Sequence, residues 1–538
     1  MPSKDSAKFT GNPECASGPG PARDSAVDAF LARHPQRPAA ATLTGPQAWR
    51  EAGFAVVLFA FCLYDWKAFA AVVLFALAAF YAAIALHKLL IVLVSCLLRP
   101  VPRFSADELT AFRDEELPVY TVLIPMYREA EVAAKLVHAV AALEYPADKL
   151  DVKLLLEADD RATIDQCLGM ALPRGVEVMV VAHSLPKTKP KACNHGLWAA
   201  RGEFLVVYDA EDRPEPDQLR KAVALFRRLP ARVVCLQARL NYHNPRQNWL
   251  TRFFTLEYTA WFDLFLPGLV ACGAPIPLGG TSNHFRIDAL RRLGGWDPFN
   301  LTEDCDLGLR LHRGGYRTQM LDSTTWEEAN SRVGNWIRQR SRWVKGYLQT
   351  HFVHTRSYGR TLVELGPWGT AHFLLTVGGQ SAAQLLNPLF WLAGLAYAGL
   401  AAARWAGAGP GPWRLVYDDR VADLPGAPLT AWSEWSQAFW YMAVGLFFAN
   451  GLFIGVNMAA VLRRRLWDMT PQALLSPLYW ALGSAAAWKG FLQLFSRPYH
   501  WEKTLHGLDA PGLADASPKD PARTRSATHE SALGLVKK

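Results

Sequence analysis

The stretch Phe204-Leu205-Val206-Val207-Tyr208-Asp209-Ala210-Glu211-Asp212-Arg213-Pro214-Glu215-Pro216 decides the fold. An apolar, valine-rich run ends in a carboxylate cluster, and two prolines then stop the strand and turn the chain. Strands buried on both faces of a parallel sheet read as continuous apolar runs, and ligands of such sheets bind beyond the carboxyl ends of the strands. Carboxylates gathered at one strand end repel one another unless something positive sits among them. A hard divalent cation that bridges diphosphate oxygens meets that need, while an acidic solvated loop is the plainer reading of this stretch taken alone.

Working outward, further strand-like runs occur at Val119–Met126, Val152–Leu156, Val176–Ala182 and Val233–Ala238. Helix-like stretches such as Glu129–Leu143 and Pro216–Arg228 lie between them. Strands alternating with helices predict an α/β domain over residues 99–331, with a mostly parallel sheet covered on both faces. Polar clusters punctuate this block: the acidic pair Asp159-Asp160, a basic loop from Lys187 through Lys189 and Lys191 to Asn194, the small-residue turn Gly279–Phe285, and Thr302-Glu303-Asp304. A lysine in the basic loop suits a phosphate, and a glycine turn lets backbone approach a sugar. Each cluster alone also fits an ordinary surface loop or tight turn.

Of the 538 residues, 51% are hydrophobic, and long apolar runs flank the α/β block. Residues 1–48 predict a disordered cytoplasmic tail and residues 49–98 a transmembrane hairpin. Residues 332–360 predict an amphipathic helix lying in the membrane interface, residues 361–496 further transmembrane helices, and residues 497–538 a cytoplasmic loop and tail. The N-terminus shows no cleavable signal peptide. The net charge of +9 includes basic residues at the ends of apolar runs, such as Arg463-Arg464-Arg465, which reads as positive-inside bias. No basic stripe interleaved with aromatics points to nucleic acid. Both termini on the cytoplasmic side require an even number of spans, and six is the expectation. The eight cysteines form no Cys-x-x-Cys pair, which argues against a disulfide framework or a zinc site. His195 and His284 are too isolated for a metal-dependent phosphatase or nuclease.

The helix after the α/β block carries Gln339-Arg340-Ser341-Arg342-Trp343, with Gln339, Arg342 and Trp343 on one face. A tryptophan there offers a platform to a sugar ring, and an arginine beside it suits a diphosphate. A Trp/Arg pair at a membrane interface is the competing reading. The order of all these clusters resembles the processive family 2 glycosyltransferases, which are related to cellulose, chitin and hyaluronan synthases. It resembles still more the bacterial exopolysaccharide glycosyltransferases whose relatives include the phage N4 adsorption protein B. The resemblance is strong over about residues 117–350.

That resemblance implies a GT-A-like sheet and a role for each matching residue. Asp159 and Asp160 would hold the nucleotide, and Lys189 and Asn194 the donor. Asp209 and Glu211 would hold Mg²⁺ or Mn²⁺; because Glu211 stands where the family has Asp, Asp212 is a further candidate ligand. Asp304, beside Glu303, would be the catalytic base, and Gln339, Arg342 and Trp343 would hold the diphosphate and the acceptor end. Residues 501–507, with Lys503, faintly resemble a gating loop. The implied enzyme is an inverting glycosyltransferase in the bacterial inner membrane, multi-pass, with its catalytic domain in the cytoplasm. It would use a UDP-sugar to extend an exopolysaccharide, with membrane lipids around it and export partners. The alternatives are single-sugar transfer to a lipid, or an inactive membrane scaffold.

Overall fold

A computed structural model describes residues 25–34, 38–105, 108–109, 113–131, 133, 139–389, 391–392, 430–500 and 502. Its helices and strands run in the order α1 (Ser25–Arg33), α2 (Gly45–Tyr64), α3 (Trp66–Leu98), β1 (Tyr120–Met126), β2 (Leu150–Glu157), α4 (Arg161–Gly169), β3 (Val176–Val181), α5 (Lys189–Ala199), β4 (Phe204–Val207), β5 (Arg213–Pro214), α6 (Gln218–Arg228), β6 (Val233–Tyr242), α7 (Trp249–Ala260), α8 (Leu266–Ala271), β7 (Asn283–Arg286), α9 (Ile287–Arg292), α10 (Glu303–Arg313), β8 (Arg317–Glu327), α11 (Val333–His354), α12 (Tyr358–Phe373), α13 (Thr430–Arg463) and α14 (Ser476–Ser496). Most of the expected helix at Glu129–Leu143, the run 393–404, Lys503 and the rest of the tail lie outside the described residues.

The strands form one eight-stranded sheet in the order β3-β2-β1-β4-β7-β6-β8-β5. Strands β3, β2, β1 and β4 are all parallel. The expectation of a mostly parallel sheet holds for this half, and in the other, mixed half β6 and β8 are parallel as well. There β7 is antiparallel to both β4 and β6, and β5 is antiparallel to β8. Alternate residues of β1 serve opposite cores: Val122 and Ile124 pack with Leu154 and Phe226, whereas Leu123 packs with Leu155 and Leu205. Burial on both faces explains why these strands read as unbroken apolar runs.

Three regions depart from expectation. First, residues 25–34 are not a free tail. Phe30 of α1 is 2% exposed, and Arg33 donates to the Arg291 carbonyl at 2.7 Å. Second, α11, expected as an amphipathic helix in the membrane interface, is packed on several sides by the rest of the molecule. Trp336, Lys345, Gln349 and Thr350 are buried, and at Gly490 of α14 a Cβ would stand 2.4 Å from the Ser341 carbonyl oxygen. Third, among the described residues one helix is long and apolar enough to cross a membrane: Ala68–Leu98 within α3, 31 residues of mean hydropathy 2.5. Six such helices were expected. Helix α14 falls short because Lys489 and Gln493 interrupt it, both bonded to Glu502 at 2.5 and 2.8 Å. Helix α12 is kinked at Gly366-Pro367 and carries Glu364, which pairs with Arg313.

Candidate active site

The carboxyl ends of β1, β2 and β4 open into a cavity of about 600 Å³. Its far wall is built from α7, α10, α11 and the helical residues Gln380–Gln384. Of the residues singled out in the sequence, Lys189, Asp209, Glu211, Glu303, Asp304, Gln339, Arg342 and Trp343 all line it.

Lys189 opens α5, where its ammonium pairs with the Asp209 carboxylate and donates to the Gly280 carbonyl at 2.6 Å. Although burial alone would lower it, the charges of Asp209 and Glu303 push the Lys189 pKa up, so it stays charged. Asp209 follows β4 directly, held in place because its backbone N–H donates to Asp212 at 2.8 Å. Asp212 is 3% exposed and also accepts from the Thr281 hydroxyl, so it braces the loop from beneath. Its second oxygen is buried without a hydrogen-bond partner. Burial, then the charges of Asp209 and Glu211, hold its carboxyl well above the usual carboxylate range. Glu327 at the end of β8 is raised too, by burial and then by Asp212, Asp209 and Glu211.

Four carboxyl groups thus crowd one lysine. Hard oxygen donors, an orphaned buried oxygen and excess negative charge fit a divalent cation. Among the described residues no group of three or more acidic, histidine or cysteine side chains is arranged to hold a metal unaided. The set therefore suits a cation that completes its shell with diphosphate oxygens and water, as Mg²⁺ and Mn²⁺ do.

Asp304 sits in the first turn of α10, accepting from the Cys305 backbone N–H at 2.7 Å. Burial pushes its carboxyl up to about 6, against the lowering influence of that N–H, Lys189 and Arg342. Glu303, more deeply buried and facing the Asp304 charge, is pushed up to about 8. The glycine turn lies against Asp304: a Cβ at Gly280 would be in ordinary contact with its Oδ2, 3.4 Å away.

On α11, Gln339 accepts from the Asn330 amide at 2.8 Å, and Trp343 packs on Tyr258 with ring centroids 6.2 Å apart. Sequence reading missed a second ion pair in this wall. Arg340 forks onto Glu257, one arm at 2.7 Å, and its guanidinium lies 4.6 Å from the Trp343 ring centroid. Tyr479 of α14 donates to Glu257 at 2.7 Å. Arg340 falls four residues after Trp336, and that helical spacing was the available signal.

Three expected donor residues sit elsewhere. Asn194 is 1% exposed and absent from the cavity wall; its amide bonds the carbonyl and the N–H of Trp296 at 2.8 and 2.9 Å. With its buried amide bonded to both backbone groups of Trp296 and away from the cavity wall, Asn194 acts as a clamp. Asp160 caps α4 through the Thr163 N–H and accepts from the Arg128 N–H, which is an architectural role. Asp159 is half-exposed and pairs at 2.6 Å with Lys187, which does line the cavity.

Residues 121–285 match the family described as "Glycosyl transferase family 2", and residues 204–454 match "Glycosyl transferase family group 2". The chain carries a family 2 glycosyltransferase domain. A probable glucomannan 4-beta-mannosyltransferase of Oryza sativa subsp. japonica is 30% identical over 261 residues, 46% of this chain and 44% of that protein. A probable glycosyltransferase of Bacillus subtilis is 28% identical, covering 43% of this chain and 56% of its own length. A beta-monoglucosyldiacylglycerol synthase of Nostoc sp. is 29% identical, covering 44% and 50%. The chain thus spans about half the length of these relatives. A Pyrobaculum calidifontis mannosyltransferase solved with GDP-Man and Mn²⁺ aligns over 79% of this chain and 98% of its own, with 20% identity and a TM-score of 0.48.

Proposed function

We propose that this glycosyltransferase is a membrane-embedded, inverting enzyme that moves a sugar from a nucleoside diphosphate, with UDP-sugars the first donors to try, onto a growing polysaccharide. The observation that carries the reading is convergence: a lysine–carboxylate pair, a buried carboxylate pushed up to about 6 and the Gln339/Arg342/Trp343 face all line one cavity. A base poised near neutral pH suits proton abstraction from a hydroxyl.

Asp304 takes the proton of the acceptor hydroxyl as that oxygen bonds to the anomeric carbon. The bond from that carbon to the diphosphate oxygen breaks, and the configuration inverts. Lys189 and Arg342 stabilise the charge gathering on the departing diphosphate. Asp209 and Glu211 would hold the divalent cation, with Asp212 supporting them from below; the cation adds positive charge where the leaving group develops negative charge. Trp343 gives the acceptor ring an apolar face.

Membrane embedding is supported by α3 and by the exposed apolar residues Phe54, Val57, Phe59 and Leu63 of α2. The same surface supports a second reading, transfer of one sugar to a lipid. The cavity reaches Gln380, Ser381 and Gln384, on a helix that touches α3 where Tyr81 donates to the Ala383 carbonyl at 2.8 Å.

The deciding experiment is incorporation of labelled sugar from a panel of nucleotide sugars with Mg²⁺ or Mn²⁺, with product sizing. A long polymer, lost in Asp304→Asn, is expected. Single-sugar lipid products select the second reading. No Asp304-dependent turnover of any donor rejects glycosyl transfer.

A further inference from the structure

The N-terminal segment makes contacts that the transfer chemistry does not explain. Phe30 of α1 lies under the Arg310 guanidinium, 5.3 Å from ring centroid to Cζ, and Arg310 pairs at 2.7 Å with Asp306, two residues past the base. His34 bonds the Leu293 carbonyl at 2.9 Å. Farther along, the Ala39 N–H donates to Asp297 at 2.6 Å. Arg356, just beyond α11, donates to the carbonyls of Pro38, at 3.1 Å, and of Ala41.

Asp297 belongs to the loop that delivers the base. Residues 295–302 run straight into Glu303-Asp304, and the sheet domain and α11 already grip this loop. Thr188, next to Lys189, donates to the Pro298 carbonyl at 2.8 Å, and Gln349 of α11 accepts from the Leu301 N–H at 3.2 Å. The N-terminal segment adds a third grip, through the Ala39 N–H on Asp297.

It also reaches the cavity rim. Tyr499 and His500 line the cavity, and the Tyr499 hydroxyl donates to the Ala40 carbonyl. The Tyr499 ring meets Phe299 edge-on, centroids 5.9 Å apart. From below, Lys345 donates to the carbonyls of Arg497 and His500 at 3.1 and 3.0 Å, and Gln349 to that of Pro498 at 3.1 Å. One strap therefore ties the loop before the base to a rim segment some 200 residues later in the chain.

We propose that Ser25–His34 with residues 38–44 is a positioning strap for the reaction, fixing the loop 295–302 in front of Asp304 and holding Tyr499–His500 at the mouth of the donor cavity. Tyr499 and Arg356 are its positioning residues. The proposal rests on the glycosyl-transfer reading. Opening the strap loosens donor binding and admits water, so sugar is lost to hydrolysis instead of reaching the acceptor. Because the strap and the site share one loop, nucleotide binding in turn steadies the strap.

Two measurements on the full chain test this. In the first, Tyr499→Phe, Arg356→Lys and Arg356→Ala are compared with the parent for donor KM, kcat and the ratio of transfer to hydrolysis. Tyr499→Phe removes one hydroxyl and keeps the ring. It raises donor KM about 2- to 10-fold, the range set by loss of one hydrogen bond, and raises the hydrolysed share. Arg356→Ala shifts the same quantities, and Arg356→Lys, which can still reach one carbonyl, falls between. Unchanged KM and transfer ratio in all three, with only a lower melting temperature, overturn the proposal and leave a structural brace. In the second, limited proteolysis of residues 38–44 is followed with and without UDP or GDP plus Mn²⁺. Slower cleavage with nucleotide is expected; identical rates overturn the coupling. This second measurement decides on the strap even if no donor is turned over, an outcome that counts against the transfer reading instead.

Discussion

The cavity wall holds two cation–carboxylate pairs that look alike and differ in surroundings. Lys189–Asp209 stands among Glu211, Asp212 and Glu327, three more carboxyl groups, and Asp212 keeps a buried oxygen without a partner. Arg340–Glu257 is closed in. Its guanidinium is boxed by Phe254, Trp336, Trp343 and Tyr479, and its carboxylate takes a further bond from the Tyr479 hydroxyl. A pair left with surplus charge is poised to exchange partners with an incoming cation and diphosphate. A pair whose guanidinium forks onto its carboxylate within an aromatic box holds elements together, even though the buried Arg340 Nε has no hydrogen-bond partner. Here it ties α7, α11 and α14 behind the acceptor face.

The sharpest way to break this contrast is to neutralise one member of each pair. Lys189→Met lowers kcat/KM about 10²- to 10³-fold, the usual cost of one preorganised charge at a developing anion, and leaves the melting temperature near that of the parent. Steady-state kinetics and calorimetry on the same preparation check both halves. Removing divalent cations with EDTA abolishes nucleotide binding measured by titration calorimetry, and Mn²⁺ or Mg²⁺ restores it; binding that survives EDTA unchanged would separate the carboxylate cluster from any metal. The pH profile is the next largest effect. Asp304 must be ionised to act, and burial pushes its carboxyl up to about 6. Activity therefore rises about tenfold per pH unit below 6 and levels off above it. A profile flat from pH 5 to 8 would remove Asp304 as the base.

How much of this was readable in the chain depends on distance along it. The β4 run with its carboxylates, and Thr302-Glu303-Asp304, are local patterns, and the residues that follow the strand ends do meet in one cavity. Neighbouring acids could not be told apart. Asp159 pairs with Lys187, 28 residues on, whereas Asp160 caps α4 at the Thr163 N–H and also takes the Arg128 N–H, 32 residues back. Asn194 looks like a donor ligand until Trp296, 102 residues away, takes up its amide. Strand β8, Arg317–Glu327, escaped because its polar, threonine-rich face shows no apolar run, although threonine favours strands. The strap at α1 escaped for the opposite reason: a Pro/Ala/Gly-rich segment reads as free chain, and only the far loop at Asp297 gives its backbone a partner.

The smallest kinetic effect belongs to the closed pair, and it is the one that makes the comparison strict. In Glu257→Gln the shape is kept and the charge is lost. Arg340 retains its aromatic box but loses its counter-ion. Glu257 is about a third exposed, so water screens part of the loss, and destabilisation of about 1–3 kcal/mol is expected rather than the larger cost of breaking a fully buried pair. Because the site atoms stay in place, kcat/KM per folded enzyme changes less than about threefold, equivalent to under about 0.7 kcal/mol. Thermal unfolding and kinetics therefore move in opposite proportion to those of Lys189→Met. If Glu257→Gln instead cuts kcat/KM by 10²-fold with no loss of stability, the Arg340–Glu257 pair touches the reacting groups, and the division between a working pair and a bracing pair fails.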